Sequence, residues 1–196
     1  MCIKNWKKEL FTIPNILSLF RLILIPIYVF IYLNATESMD YFIAAAILAI
    51  SCLTDLIDGK IARRFNMIST LGKILDPLAD KATQLTLIVC LAVKHTFLRY
   101  LVALFVIKES FQAIAGVINF IRGRMLKGAL LTGKICTTVL FVSLILLVMM
   151  PALSEGIVRT IVIVDIIFMS ISFFDYLITY FLREDRFQPL NNAPCE

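Results

Sequence analysis

The sequence predicts an all-α integral membrane protein of six helices, and three observations carry that reading. Of 196 residues, 60% are hydrophobic and 17% charged, whereas an ordinary soluble domain is about 45–50% apolar and about 25% charged. A membrane-spanning helix takes about 20 apolar residues, and six such stretches follow one another at 13–33, 39–62, 76–93, 97–120, 133–151 and 157–182. Basic residues also alternate between the connections, which sets the orientation. This composition excludes a soluble globule, a disordered chain and a collagen-like fibre.

In chain order, residues 2–11 place Ile3, Trp6, Leu10 and Phe11 among Lys4, Lys7 and Lys8, the pattern of a short helix lying in the head-group region. The first span resembles a signal peptide in its basic flank. It is too long for such a segment and lacks a small-residue cleavage site, so it reads as a retained span. With the N-terminus inside, the cytoplasmic segments hold Lys4, Lys7, Lys8, Arg63, Arg64, Lys73, Arg122, Arg124, Lys127, Arg183 and Arg186, against Lys94, Arg99 and Arg159 opposite. That asymmetry predicts both termini in the cytoplasm. The net charge of +5 therefore belongs to membrane flanks, and no nucleic-acid partner is expected. The five cysteines show no metal-ligand spacing, and His95 receives no role. Without a hydrophilic insertion or repeat, residues 1–196 read as one membrane domain in the cell membrane.

Charged residues inside spans are costly and mark functional sites. Asp55 and Asp58 stand three apart near the end of the second span, and Asp76 and Asp80 four apart at the start of the third. Both spacings put a pair on one helical face. Four carboxylates cannot share a small cavity as bare anions. Two divalent cations would balance them, and oxygen-only ligands suit Mg²⁺, Mn²⁺ or Ca²⁺. Paired cations stabilise phosphoryl displacement. Gly59 permits close backbone approach, Ala62 keeps that face narrow, and Arg63 offers a fork for a phosphate. The alternative is a set of ion pairs with Lys60, Arg63, Lys73 and Lys81.

The run D55-x2-D58-G59-x2-A62-R63-x8-G72-x3-D76-x3-D80 resembles the signature of the CDP-alcohol phosphotransferase family of membrane enzymes. The resemblance implies transfer of a phosphoalcohol group from a CDP-linked donor, release of CMP, and a site facing the cytoplasm. It assigns Asp55, Asp58 and Asp76 to two divalent cations, Mg²⁺ or Mn²⁺, with Asp80 completing the metal site and serving as the base toward the acceptor hydroxyl. Gly59, Arg63 and Ser69 match positions that contact the cytidine diphosphate. The family also implies a homodimer.

The opening I-P-N-x-L-S-x-F-R, from Ile13 to Arg21, resembles bacterial phosphatidylglycerophosphate synthases and related cardiolipin synthases, which implies CDP-diacylglycerol as donor. Arg21 would meet a lipid phosphate, or else snorkel or pair with another helix. Lys108-Glu109 and Gly133-Lys134 resemble motifs of the phosphatidylglycerophosphate synthases. Lys108 and Lys134 thus become acceptor residues for glycerol 3-phosphate, with Arg122 adding charge from the end of the fourth helix or else resembling a basic residue of cardiolipin synthases; the alternative for Lys108 is a buried Lys108–Glu109 structural pair. Three positions depart from that pattern: Lys108 replaces an arginine, Gly116 stands where a second arginine often follows, and Cys136 where a second lysine does. They bring forward phosphatidylglycerol, the acceptor of cardiolipin synthases, as the alternative. A small transporter is the alternative of another class, with Asp165 and Asp175 in a wider polar network.

Overall fold

The computed structural model describes residues 13–64, 72–126, 128 and 130–189, without the side chains at 13–15, 52, 55–64, 72–77, 125, 184, 188 and 189. The expected interfacial helix at 2–11 lies outside the described residues. The elements are α1 (Ile13–Asn34), α2 (Ser38–Arg64), α3 (Gly72–Lys94), α4 (Leu98–Ile121), β1 (Arg124–Leu126), α5 (Leu131–Met149), α6 (Glu155–Leu182), a 3-10 turn (Glu184–Arg186) and β2 (Phe187–Pro189). The six expected spans thus coincide with six helices among the described residues. Four of them are long and apolar enough to cross a membrane, and α2 carries a shorter apolar stretch, Ser38–Ser51.

Apolar side chains lie on the outside: Phe30 is 72% and Phe181 73% exposed, whereas Arg21, Lys108 and Asp165 are buried. In water that distribution would be costly. It suits a chain whose outer solvent is hydrocarbon, where polar groups must be satisfied internally. Together with the long apolar helices, it describes a multi-pass membrane protein.

The chain forms two compact units, Met1–Lys94 with Ile145–Ala152, and His95–Leu144 with Leu153–Glu196. In the first, α1 packs against both α2 and α3. Ser18, Arg21, Tyr28 and Tyr32 are the buried positions of α1, a spacing of three to four residues or its multiple that defines one helix face. Asp40 Oδ2 accepts the Thr36 and Glu37 amides at 3.0 and 3.1 Å and so holds the α1–α2 turn. At that same end, the Lys94 ammonium donates to the Tyr41 hydroxyl and lies 4.7 and 4.3 Å from the Tyr32 and Tyr41 ring centres. A cation–π contact satisfies a lysine at a helix end.

In the second unit, α4 packs against α6. The buried positions Leu98, Leu101, Phe105 and Lys108 on α4 and Val158, Val162, Asp165, Met169, Ser172, Tyr176 and Thr179 on α6 follow helical spacing. Phe111 meets Phe173, Tyr180 and Phe181 in one aromatic group. Asp165 accepts the Ser143 hydroxyl at 2.9 Å. Asp175 accepts Thr132 at 2.6 Å and pairs with Arg183 at 3.7 Å. Both aspartates thus tie α6 to neighbouring groups. β1 and β2 pair antiparallel, Arg124 opposite Pro189 and Leu126 opposite Phe187, clipping the α4–α5 connection to the chain after α6. Gly123, at φ 71, makes the turn into β1 without the Cβ clash that conformation imposes on other residues.

Candidate active site

The two aspartate pairs sit on helices whose relative direction the first unit fixes. Tyr41 at the start of α2 meets Lys94 at the end of α3, and midway along, Ile47, Leu48 and Ser51 of α2 line the same small cavity as Thr83, Thr86 and Leu87 of α3. The two helices therefore run antiparallel. At 1.5 Å per residue, Asp55 and Asp80 both lie about 21 Å along their helices from the Tyr41–Lys94 contact, and Asp58 and Asp76 about 26–27 Å. The four carboxylate-bearing positions thus lie at two matching levels about one turn apart on antiparallel helices, Asp55 with Asp80 and Asp58 with Asp76. The side chains of Asp55, Asp58, Gly59, Arg63 and Asp76 are outside the described set, and Ser69 lies outside the described residues altogether.

Asp80 is the motif aspartate whose side chain is described. Its Oδ1 accepts from Arg21 Nη1 of α1 in an ion pair, with the Arg21 side chain 2% and the Asp80 side chain 39% exposed. The buried guanidinium thereby anchors a carboxylate that keeps an open side. From sequence, Arg21 reads as meeting a lipid phosphate or as pairing with another helix; its described contact is with Asp80. The available signal was that charges inside spans tend to pair with one another, and Arg21 and Asp80 are both such charges. Because Asp80 retains solvent access, Arg21→Gln is expected to cost about 1–3 kcal/mol, at or below the lower end of the range for a broken buried pair. Thermal unfolding in detergent reads this loss, and an unchanged midpoint would remove the pair as a structural tie.

The three acceptor candidates all fall in the second unit. Lys108 is buried, and its ammonium donates to Glu109 Oε1 at 2.8 Å and Gln112 Oε1 at 2.9 Å, 6.0 Å from the centre of the Tyr176 ring. This is the Lys108–Glu109 pair held as an alternative from sequence, extended by Gln112 one turn later. Lys134, in the first turn of α5, and Arg122, at the end of α4, are exposed, and no described contact brings either to Lys108. Gly133 has a packing reason: a Cβ there would come within 2.8 Å of the Tyr176 hydroxyl, so glycine is needed for Tyr176 to reach α5. Among the described residues, no group of three or more His, Cys, Asp or Glu side chains is placed to hold a metal.

Comparison with known proteins bears on these positions. The family model described as CDP-alcohol phosphatidyltransferase matches residues 11–173. The CDP-diacylglycerol–glycerol-3-phosphate 3-phosphatidyltransferase of Escherichia coli K12 is 49% identical over 72 residues, 36% of this chain and 38% of the relative. A cardiolipin synthase (CMP-forming) of Streptomyces coelicolor is 37% identical over 103 residues, 50% of this chain and 47% of the relative. A cardiolipin synthase (CMP-forming) / mitochondrial hydrolase fusion protein of Schizosaccharomyces pombe is 42% identical over 91 residues, 46% of this chain and 14% of the relative. The chain thus spans less than half the length of each of these relatives. The family match covers most of the chain, including both aspartate pairs, Arg21 and the Lys108–Glu109 pair, and the chain belongs to the CDP-alcohol phosphatidyltransferase family.

Proposed function

We propose that the chain is a phosphatidyltransferase that moves a phosphatidyl group from CDP-diacylglycerol to glycerol 3-phosphate, releasing CMP and forming phosphatidylglycerophosphate. The observation that carries this reading is the half-exposed Asp80 carboxylate, anchored by buried Arg21 within a complete family motif on two antiparallel helices. In the reaction, Asp80 takes the proton of the acceptor hydroxyl. The acceptor oxygen bonds to the phosphatidyl phosphorus, and the bond from that phosphorus to the CMP oxygen breaks, its electron pair leaving with CMP. General-base action requires Asp80 within hydrogen-bond reach of the hydroxyl, and its open side allows that approach. Gly59, Arg63 and Ser69 would seat the cytidine diphosphate.

The donor set fits hard divalent cations: four carboxylates within about one turn of one another along two helices supply oxygen ligands and four negative charges. Asp55, Asp58, Asp76 and Asp80 would hold two Mg²⁺ or Mn²⁺ ions. When bound, such ions neutralise phosphate charge and stabilise the leaving group. Positioning by the chain supplies the rest of the rate. The basic asymmetry of the connections places both termini and this site on the cytoplasmic side, with residues 1–196 acting as one catalytic domain, as a homodimer. Family membership favours transfer over transport.

Phosphatidylglycerol is the second reading for the acceptor, favoured by one observation. Lys108, the central candidate for a dianionic acceptor, is already matched by Glu109 and Gln112. Purified protein incubated with CDP-diacylglycerol and Mg²⁺ or Mn²⁺ separates the two. CMP with phosphatidylglycerophosphate from glycerol 3-phosphate establishes the first reading, and cardiolipin formed only from phosphatidylglycerol establishes the second. No CMP with either acceptor would overturn both.

A further inference from the structure

The ion pair between Arg21 and Asp80 joins two helices across 59 positions of sequence. Arg21 belongs to the buried face of α1, with Ser18 one turn before it and Tyr28 two turns after it, and α1 packs against both α2 and α3. At 2% exposure, the packing around this long side chain has already removed its rotamer freedom, and its planar guanidinium offers N–H groups in fixed directions. Asp80 has the opposite setting. At 39% exposure, packing leaves its carboxylate room to turn, and the charge-assisted bond from Arg21 Nη1 to Oδ1 restrains that rotation. Apolar side chains of similar volume often join two helices as well as a buried ion pair does, or better. Here a buried cation instead holds the motif aspartate proposed as the base.

We propose that Arg21 is a positioning residue for the reaction: by holding Oδ1, it aims the Asp80 carboxylate at the acceptor hydroxyl. The inference rests on the proposed role of Asp80 as the base. Arg21 acts through Asp80 and not on a substrate, the arrangement in which a base is itself oriented by a third group. A misplacement of about 1 Å at a reacting group can cost about 10²-fold in rate, so loss of the anchor slows the chemistry as well as weakening the α1–α3 tie.

The test is a double-mutant cycle on the full chain with CDP-diacylglycerol, Mg²⁺ and whichever acceptor, glycerol 3-phosphate or phosphatidylglycerol, yields CMP with the parent protein. Arg21→Gln is expected to lower kcat about 10- to 100-fold and to leave both KM values within about twofold, and Arg21→Lys, which keeps a cationic donor, to recover part of the loss. In an Asp80→Asn background, Arg21→Gln should cost less than about twofold, because residues that act as a unit are not additive. The same fold loss in both backgrounds, or parent kcat in folded Arg21→Gln protein, would overturn the positioning role. If Arg21→Gln does not fold, Arg21→Met, which fills similar volume without a donor, replaces it in the cycle. No CMP from the parent protein with either acceptor overturns the reaction itself, whereas additive losses in an active enzyme overturn the role of Arg21 alone.

Discussion

Asp80→Asn lowers CMP release from CDP-diacylglycerol by about 10²- to 10⁴-fold, the contribution typical of a positioned general base, while the protein still folds. The asparagine keeps the shape of the side chain and leaves an amide oxygen for Arg21 to donate to, so the α1–α3 tie weakens without being emptied. The basic oxygen and its negative charge are lost together. Measured as initial CMP release alongside the thermal unfolding midpoint, the variant separates chemistry from stability. A folded Asp80→Asn protein that releases CMP at the parent rate would falsify the role of Asp80 as the base. The paired comparison with Arg21→Gln is informative in the opposite sense. That variant retains the carboxylate but loses its anchor, so its unfolding midpoint falls.

Removal of divalent metal is expected to abolish turnover altogether, and Mg²⁺ or Mn²⁺ to restore it. The physical reason is charge. Asp55 and Asp58 close one helix, Asp76 and Asp80 open the next, and carboxylates brought this close repel one another unless cations or protons intervene. The donor bears a diphosphate, which adds further negative charge to the same place. The measurement is CMP release in excess EDTA, followed by titration of each metal back to a defined free concentration. Turnover that persists in chelator would reject the dimetal assignment while leaving the family membership untouched.

The helices were largely legible because membrane spans announce themselves by composition. Expected and observed boundaries agree within four residues, with the widest gap at α3, which starts at Gly72 rather than at 76. It opens on Gly72 and Lys73, with Asp76 and Pro77 soon after, so hydropathy places its start late. The four aspartates were equally legible, since spacings of three and four define a helical face without knowledge of any partner. The β1–β2 clip was not: two three-residue strands on either side of α5 and α6 carry no periodic signal. Lys108 could not be resolved from sequence either, because a lysine beside a glutamate reads equally as a ligand and as an ion pair. The structure shows the pair, with Gln112 and the Tyr176 ring beside it.

By itself, then, the order of residues determined which segments form long apolar helices, which charges accompany them, and the family motif at Asp55–Asp80. These depend on composition and spacing within a few helical turns. Only the tertiary structure decided which polar group meets which: Arg21 with Asp80, 59 positions apart, and Ser143 with Asp165. The reason is that a helix's inward face is chosen by its neighbours. In a bilayer, an intramembrane charge must find its partner on another helix, and helix rotation and packing determine where that partner lies.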